Sequence, residues 1–226
     1  GPPAMREANI LRDGAAADLA RLAQVPEAVH LLSAMLAHDP GKRPKAAVAA
    51  EHPLFWSDEK RLAFLCEVSD LVDPEAPDSR LRAAVEEGLA GAVGRAWDKR
   101  RLPVALPPES SKRRMYNSDS ALDCLRLLRN KANHYGELPE SVRQRDIGSP
   151  TAAGLVPYFL ARFPHLLVAT YTTALRHLAG APTLEPFLGK RTLAAAAAAA
   201  ASSASATATA AMAAGGNGGG GEGVRI

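Results

Sequence analysis

Residues 116–139 read YNSDSALDCLRLLRNKANHYGELP, and the rest of the chain can be placed from this stretch. Ser118, Asp119 and Ser120 each offer a side-chain oxygen to cap a helix that begins near Ala121. Leu122, Leu125 and Leu128, with Ala121 and Cys124 beside them, recur at helical spacing and form a face to bury. Arg126, Arg129, Asn130 and Asn133 stand at i, i+3, i+4 and i+7 and make a second row on the same helix. His134 follows one turn beyond Asn130.

Working outward, every periodic segment reads as helix, so the expected fold class is all-α. Pro26 and Glu27 open a helix with apolar Val29, Leu31, Leu32, Met35 and Leu36. Pro44 starts a short helix through Ala50, and Ser57 is an N-cap for a longer one carrying Leu62, Leu65, Val68, Leu71 and Val72. Arg80 to Ala96 reads as a helix loosened by Gly88, Gly91 and Gly94. Residues 102–111 form a proline-bearing loop, and Ser141 to Thr151 a polar connection. Val156–Phe163 and Leu166–Leu178 are two helices parted by Pro164. Residues 194–201 are all alanine, and glycine dominates 215–223; that part cannot bury enough surface to order its backbone. The expected division is residues 1–56, 57–189 and a disordered Ala/Gly tail at 190–226.

Charge is concentrated rather than spread. The net charge of the 226 residues is only +3, but residues 99–145 hold eleven Lys and Arg against five Asp and Glu. Such a segment suits a polyanionic partner, or else is a solvated basic face. Cys66 and Cys124 both lie in apolar helical patterns, which points to core thiols in a reducing compartment rather than to a disulfide. Apart from the alanine tract there is no apolar run of about 18 residues, and no signal peptide. The chain opens Gly1-Pro2-Pro3, which reads as a piece of a longer protein.

Taken singly, Arg126, Arg129 and Lys131 read as helix-end charge on a solvated face, and His134 as a structural histidine. As a set they suit metal-free phosphodiester cleavage. That reaction needs a base for the 2′-OH proton, an acid for the 5′-oxygen leaving group and fixed donors for the phosphorane. Histidine titrates near neutrality, arginine pairs with phosphate through a planar fork, and asparagine adds a neutral donor. Tyrosine is a weak base unless cations surround it, and Lys112, Arg113, Arg114 and Arg129 are at hand. No His/Cys/Asp/Glu cluster has metal-ligand spacing, and no nucleophile motif supports a Ser-His-Asp triad.

Two resemblances sharpen this. Met35–Trp56, MLAHDPGKRPKAAVAAEHPLFW, resembles the last two helices of a protein-kinase C-lobe, with its Asp39-Pro40…Arg43-Pro44 signature. The Gly-rich loop, strand lysine, catalytic-loop aspartate and metal-binding aspartate of a kinase are absent from the chain. This segment is therefore expected to be scaffold, with ATP or ADP and magnesium belonging only to a complete parent kinase. Tyr116, the run from Leu122 to Pro139, and Tyr158-Phe159…Arg162-Phe163-Pro164…Leu166-Leu167…Tyr171 resemble the kinase-extension nuclease (KEN) domain. That domain belongs to the dual serine/threonine kinase/endoribonuclease sensors of the unfolded protein response. Arg6–Leu11 also matches, so the resemblance covers roughly residues 5–180.

The resemblance implies a helical RNase domain joined to the end of a kinase C-lobe. It implies endoribonuclease activity on mRNA stem-loops leaving 2′,3′-cyclic phosphate and 5′-OH ends, with no cofactor for cleavage. Tyr116 takes the family's general base, Arg129 and Asn130 its phosphate-binding pair, and His134 its general acid. Arg113, Arg114, Arg126 and Lys131 are the expected RNA contacts. A homodimer or higher oligomer is implied, as is a cytosolic domain, without membrane contact of its own, whose parent sits in the endoplasmic reticulum membrane. Asn133 stands where many members have a second histidine, and Ala121-Leu122 where Val-Arg is common. The competing expectation is a catalytically weak paralogue that acts as an RNA-binding or dimerisation module.

Overall fold

The computed structural model describes residues 19–102 and 116–198, and among these residues there is helix and no strand. The helices are α1 (Pro26–Met35), α2 (Ala46–Ala50), α3 (Asp58–Val72), α4 (Arg80–Val93), α5 (Trp97–Arg101), α6 (Ala121–Asn133), α7 (Leu155–Leu160), α8 (Leu166–His177) and α9 (185–198). No helix among the described residues is long and apolar enough to cross a membrane. Arg6–Leu11, Lys112, Arg113, Arg114 and the sequence from 199 onward lie outside the described residues.

Local chemistry sets the helix ends. Ser57 and Ser79 cap α3 and α4, their hydroxyl oxygens accepting from the Lys60 and Arg82 amides at 3.3 and 3.4 Å. α4 stops at Val93, earlier than the expected Ala96, because Gly94 turns the backbone to φ 78°. Ala96 then adopts φ 50°, uncommon for a residue with a Cβ. Its amide donates to Asp119 at 3.0 Å, which ties this turn to the segment leading into α6. The polar connection after the site contains a single wide helical turn, Val142–Ile147, closed by Gly148 at φ 73°.

α6 lies at the centre. Every residue from Ala121 to Leu128 is buried, with α3 on one side and α4 on another. α4 in turn packs closely on α8, where a Cβ on Gly88 would collide with the Thr173 side chain. The core runs from Trp56 and Phe64 through Leu89, Trp97, Leu125 and Phe159 to Leu184 and Leu188. It therefore takes in residues on both sides of the expected 56/57 division. The Trp56 ring meets Phe64 and Tyr171 edge-on at 5.1 and 6.1 Å, and its indole N–H donates to the Glu51 carbonyl at 2.8 Å. Residues 190–198, read from sequence as the start of the tail, continue α9, and Thr192 donates to Glu51 at 2.8 Å.

The same junction holds a histidine pair, His52 buried and His30 half-buried. His30 and His52 stack at 5.1 Å, with the Tyr171 ring edge-on to both. His52 Nδ1 accepts from the Leu54 amide at 3.1 Å, so its proton sits on Nε2, 2.8 Å from His30 Nδ1. Burial pushes both imidazoles below their ordinary value, and burial together with His30 brings His52 to about 4. A group that resists protonation when folded stabilises the fold above its unfolded pKa and stops doing so as pH falls through its folded one. We expect the melting temperature to fall on the order of 5 °C between pH 6.5 and 4 from this pair. A His52→Gln variant, melted across the same range, should show a flatter dependence; an unchanged slope would remove His52 as its source.

Candidate active site

α6 is anchored at its first turn by groups distant in sequence. The Ser120 oxygen accepts from the Asp123 amide at 3.2 Å, and its hydroxyl donates to Glu86 of α4 at 2.7 Å. The Glu86 carboxylate also accepts from the Ala121 and Leu122 amides at 2.6 and 3.2 Å. An anion thus meets the N–H groups that a helix start leaves without partners. The fully buried Trp97 donates its indole N–H to the Ser120 carbonyl at 2.9 Å.

The next turns of α6 build the seat of Tyr116. Asp123 accepts from the Asn117 amide at 2.7 Å through one carboxylate oxygen and pairs with Arg126 at 3.1 Å through the other. The Arg126 guanidinium lies 4.5 Å from the centre of the Tyr116 ring. One turn further, the Asn130 amide donates to the Tyr116 hydroxyl oxygen at 2.6 Å. Asp123, Arg126 and Asn130, at i, i+3 and i+7, therefore fix the backbone, the ring and the hydroxyl of the tyrosine segment.

The four residues singled out by sequence do not all converge. Tyr116 and Asn130 are in contact. His134 follows the helix as its C-cap; its side chain is 64 % exposed and its Nδ1 is 2.8 Å from Glu137. Arg129 turns the other way, onto the C-terminal end of α3, where it pairs with Asp70 at 3.3 Å and Asp73 at 2.8 Å. Its side chain is only 18 % exposed. The row expected at 126, 129, 130 and 133 is thus split between two neighbours, because adjacent helix positions point about 100° apart. Asn133 alone of that row is exposed.

The expected RNA contacts divide as well. Arg126 and Lys131 are buried, so little of either side chain reaches solvent, and the solvated basic face expected here does not form at these positions. For Arg126 the reason is that α6 is sunk between α3 and α4 over its first two turns. Arg113 and Arg114 lie outside the described residues. Sequence reading missed Glu86, Asp123, Asp70, Asp73 and Glu137. Asp123 and Glu137 had a local signal, three residues from Arg126 and His134; the other three are distant in sequence from the groups they hold.

Neither cysteine offers a reactive thiolate. Both are free, Cys124 is fully buried with its thiol pushed up by that burial, and burial and Asp70 push Cys66 up to about 11. No cluster of three or more His, Cys, Asp or Glu side chains placed to hold a metal occurs among the described residues.

A family model described as Ribonuclease 2-5A matches residues 61–188. Serine/threonine-protein kinase/endoribonuclease IRE1b of Arabidopsis thaliana is 41 % identical over 169 residues, 74 % of this chain and 19 % of that protein. The human serine/threonine-protein kinase/endoribonuclease IRE2 is 38 % identical over 194 residues, 83 % of this chain and 20 % of its own length. The sensor for unfolded proteins in the ER ire1 of Schizosaccharomyces pombe is 40 % identical over 146 residues, 64 % and 13 % respectively. The chain thus spans about a fifth or less of the length of these curated relatives.

Proposed function

We propose that this chain, which belongs to the ribonuclease 2-5A family and carries its kinase-extension nuclease domain, is an endoribonuclease cutting stem-loop RNA without a metal ion. The observation that carries this reading is the 2.6 Å contact between Tyr116 and Asn130, with His134 one turn further along an exposed helix end. Tyr116 takes the 2′-OH proton, His134 protonates the departing 5′-oxygen, and Asn130 and Arg129 steady the phosphorane charge. Products are a 2′,3′-cyclic phosphate and a 5′-OH. Arg126 and Asp123 act by holding Tyr116. The exposure of His134 suits a substrate whose bases are splayed from a loop rather than buried in a deep pocket.

Relatives named as kinase/endoribonucleases and as a sensor for unfolded proteins in the ER support placing the parent in the unfolded-protein response; a cytosolic, homodimeric domain is part of the same proposal. Residues 1–56 serve there as scaffold rather than as a kinase. One observation favours the second reading, a weakly active RNA-binding or dimerisation module: Arg129 is held by carboxylates rather than presented to solvent.

The test is cleavage of a stem-loop RNA at high protein concentration in excess EDTA. Cleavage is expected to persist, with 5′ ends that accept label from polynucleotide kinase without prior dephosphorylation. Binding without any cleavage favours the second reading. Cleavage that EDTA abolishes overturns the metal-free mechanism.

A further inference from the structure

Arg129 is the residue whose surroundings least match its proposed role. A phosphate ligand needs its N–H edge turned outward. Here both η nitrogens are engaged, one by Asp70 and one by Asp73, and the Nε–H is sealed from solvent with no acceptor among the described residues. The two aspartates stand three residues apart at the C-terminal end of α3, Asp73 being its C-cap. Carboxylates are disfavoured at that end of a helix, and a guanidinium there offsets both the charges and the helix dipole. Arg129 is thus held by three favourable interactions, and a phosphate must compete with all of them.

We propose that Asp70 and Asp73 are positioning residues that act through Arg129, latching its guanidinium onto α3 and away from RNA phosphates in this state of the chain. The inference rests on the endoribonuclease reading for its consequence but not for the latch itself. Asp70 is 53 % exposed and Asp73 28 %, so a partner or an RNA strand can reach the latch from solvent. Opening it frees a planar cation one residue from Asn130.

The test uses D70N, D73N and D70N/D73N, with E59Q as a control that removes the same charge from an exposed residue at the opposite end of α3. Asparagine keeps the shape and one acceptor oxygen but removes the charge that holds the guanidinium, and single D70N protects the test against a folding defect in the pair. For a stem-loop RNA at fixed salt, D70N/D73N is expected to lower KM by about 5-fold with a smaller change in kcat. It should also steepen the slope of log Kd against log salt by roughly 0.7–0.9, one added phosphate contact. R129Q in the same background should erase the gain. An unchanged or raised KM, a gain that survives R129Q, or an equal gain in E59Q overturns the proposal. A second readout needs no RNA: modification of Arg129 by phenylglyoxal, followed by mass spectrometry, should be faster in D70N and D70N/D73N than in the wild type. If no variant binds or cuts RNA, the nuclease reading fails and this rate alone decides the latch, equal rates overturning it.

Discussion

Replacing His134 with alanine is expected to lower kcat for stem-loop cleavage by about 10²–10⁴-fold and to leave folding untouched. The loss follows from removing the only proposed proton donor to the 5′-oxygen. A 5′-alkoxide is a poor leaving group, so the step that breaks the P–O bond depends most on the acid. The preserved fold follows from the position. The imidazole is 64 % exposed, lies past the last turn of α6, and its side-chain partner among the described residues, Glu137, is itself 76 % exposed. An ion pair that open to water contributes little to stability. RNA affinity should change far less than kcat, since one neutral or singly charged group among many basic ones is lost. Cleavage that survives His134→Ala at more than a tenth of the wild-type rate, with the circular dichroism melt unchanged, removes His134 as the acid.

The second large effect is on stability, at a residue with no catalytic role. Glu86→Ala removes a carboxylate that accepts from one hydroxyl and two helix-start amides. Those amides are shielded by the packing of α4 on α6, so water replaces the lost acceptor poorly. Loss of an N-cap interaction together with charge-assisted hydrogen bonds is expected to cost about 2–4 kcal/mol, lowering the melting temperature by roughly 10 °C. Glu86→Gln keeps an acceptor oxygen but not the charge, and should fall between wild type and alanine. Urea titration measures both; a cost below about 1 kcal/mol for alanine means that the Ser120 cap suffices without Glu86. Activity should decline with stability here, in contrast to His134→Ala, because the turn held by Glu86 also carries Asp123.

The sequence made the helical class and the centrality of Tyr116–Pro139 legible, because α6 combines a cap, an apolar repeat and an unusual run of polar groups. Ser120 stands among three candidate caps, and the resemblance puts Tyr116 and Asn130 in one set without naming the contact between them. What spacing on one helix cannot supply is the neighbour each face meets. Arg129 and Asn130 were read as one phosphate-binding pair, yet α3 claims the first and the 116–117 segment the second. Asp70 and Asp73 lie more than fifty residues before Arg129, and nothing local marks them as its partners. Arg126 and Lys131 read from sequence as helix-end charges and, through the resemblance, as RNA contacts, but Asp123 and the Tyr116 ring give Arg126 a buried seat. The division at residue 56 followed a resemblance boundary, whereas Trp56 belongs to the shared core.

The two tryptophans of the chain have an optical consequence. Trp97 is sealed from solvent and bonded to the carbonyl that begins α6, next to the segment that leads back to Tyr116. Trp56 lies in the junction of the N-terminal helices with α3 and α8, beneath the Lys60 ammonium at 4.9 Å. Each indole emits from different neighbours, Trp97 from the start of α6 and Trp56 from beside the Lys60 ammonium. Exciting the chain at the red edge of tryptophan absorption therefore yields two superposed spectra, which a single Trp→Phe exchange separates into one dye for the site-bearing helix and one for the scaffold.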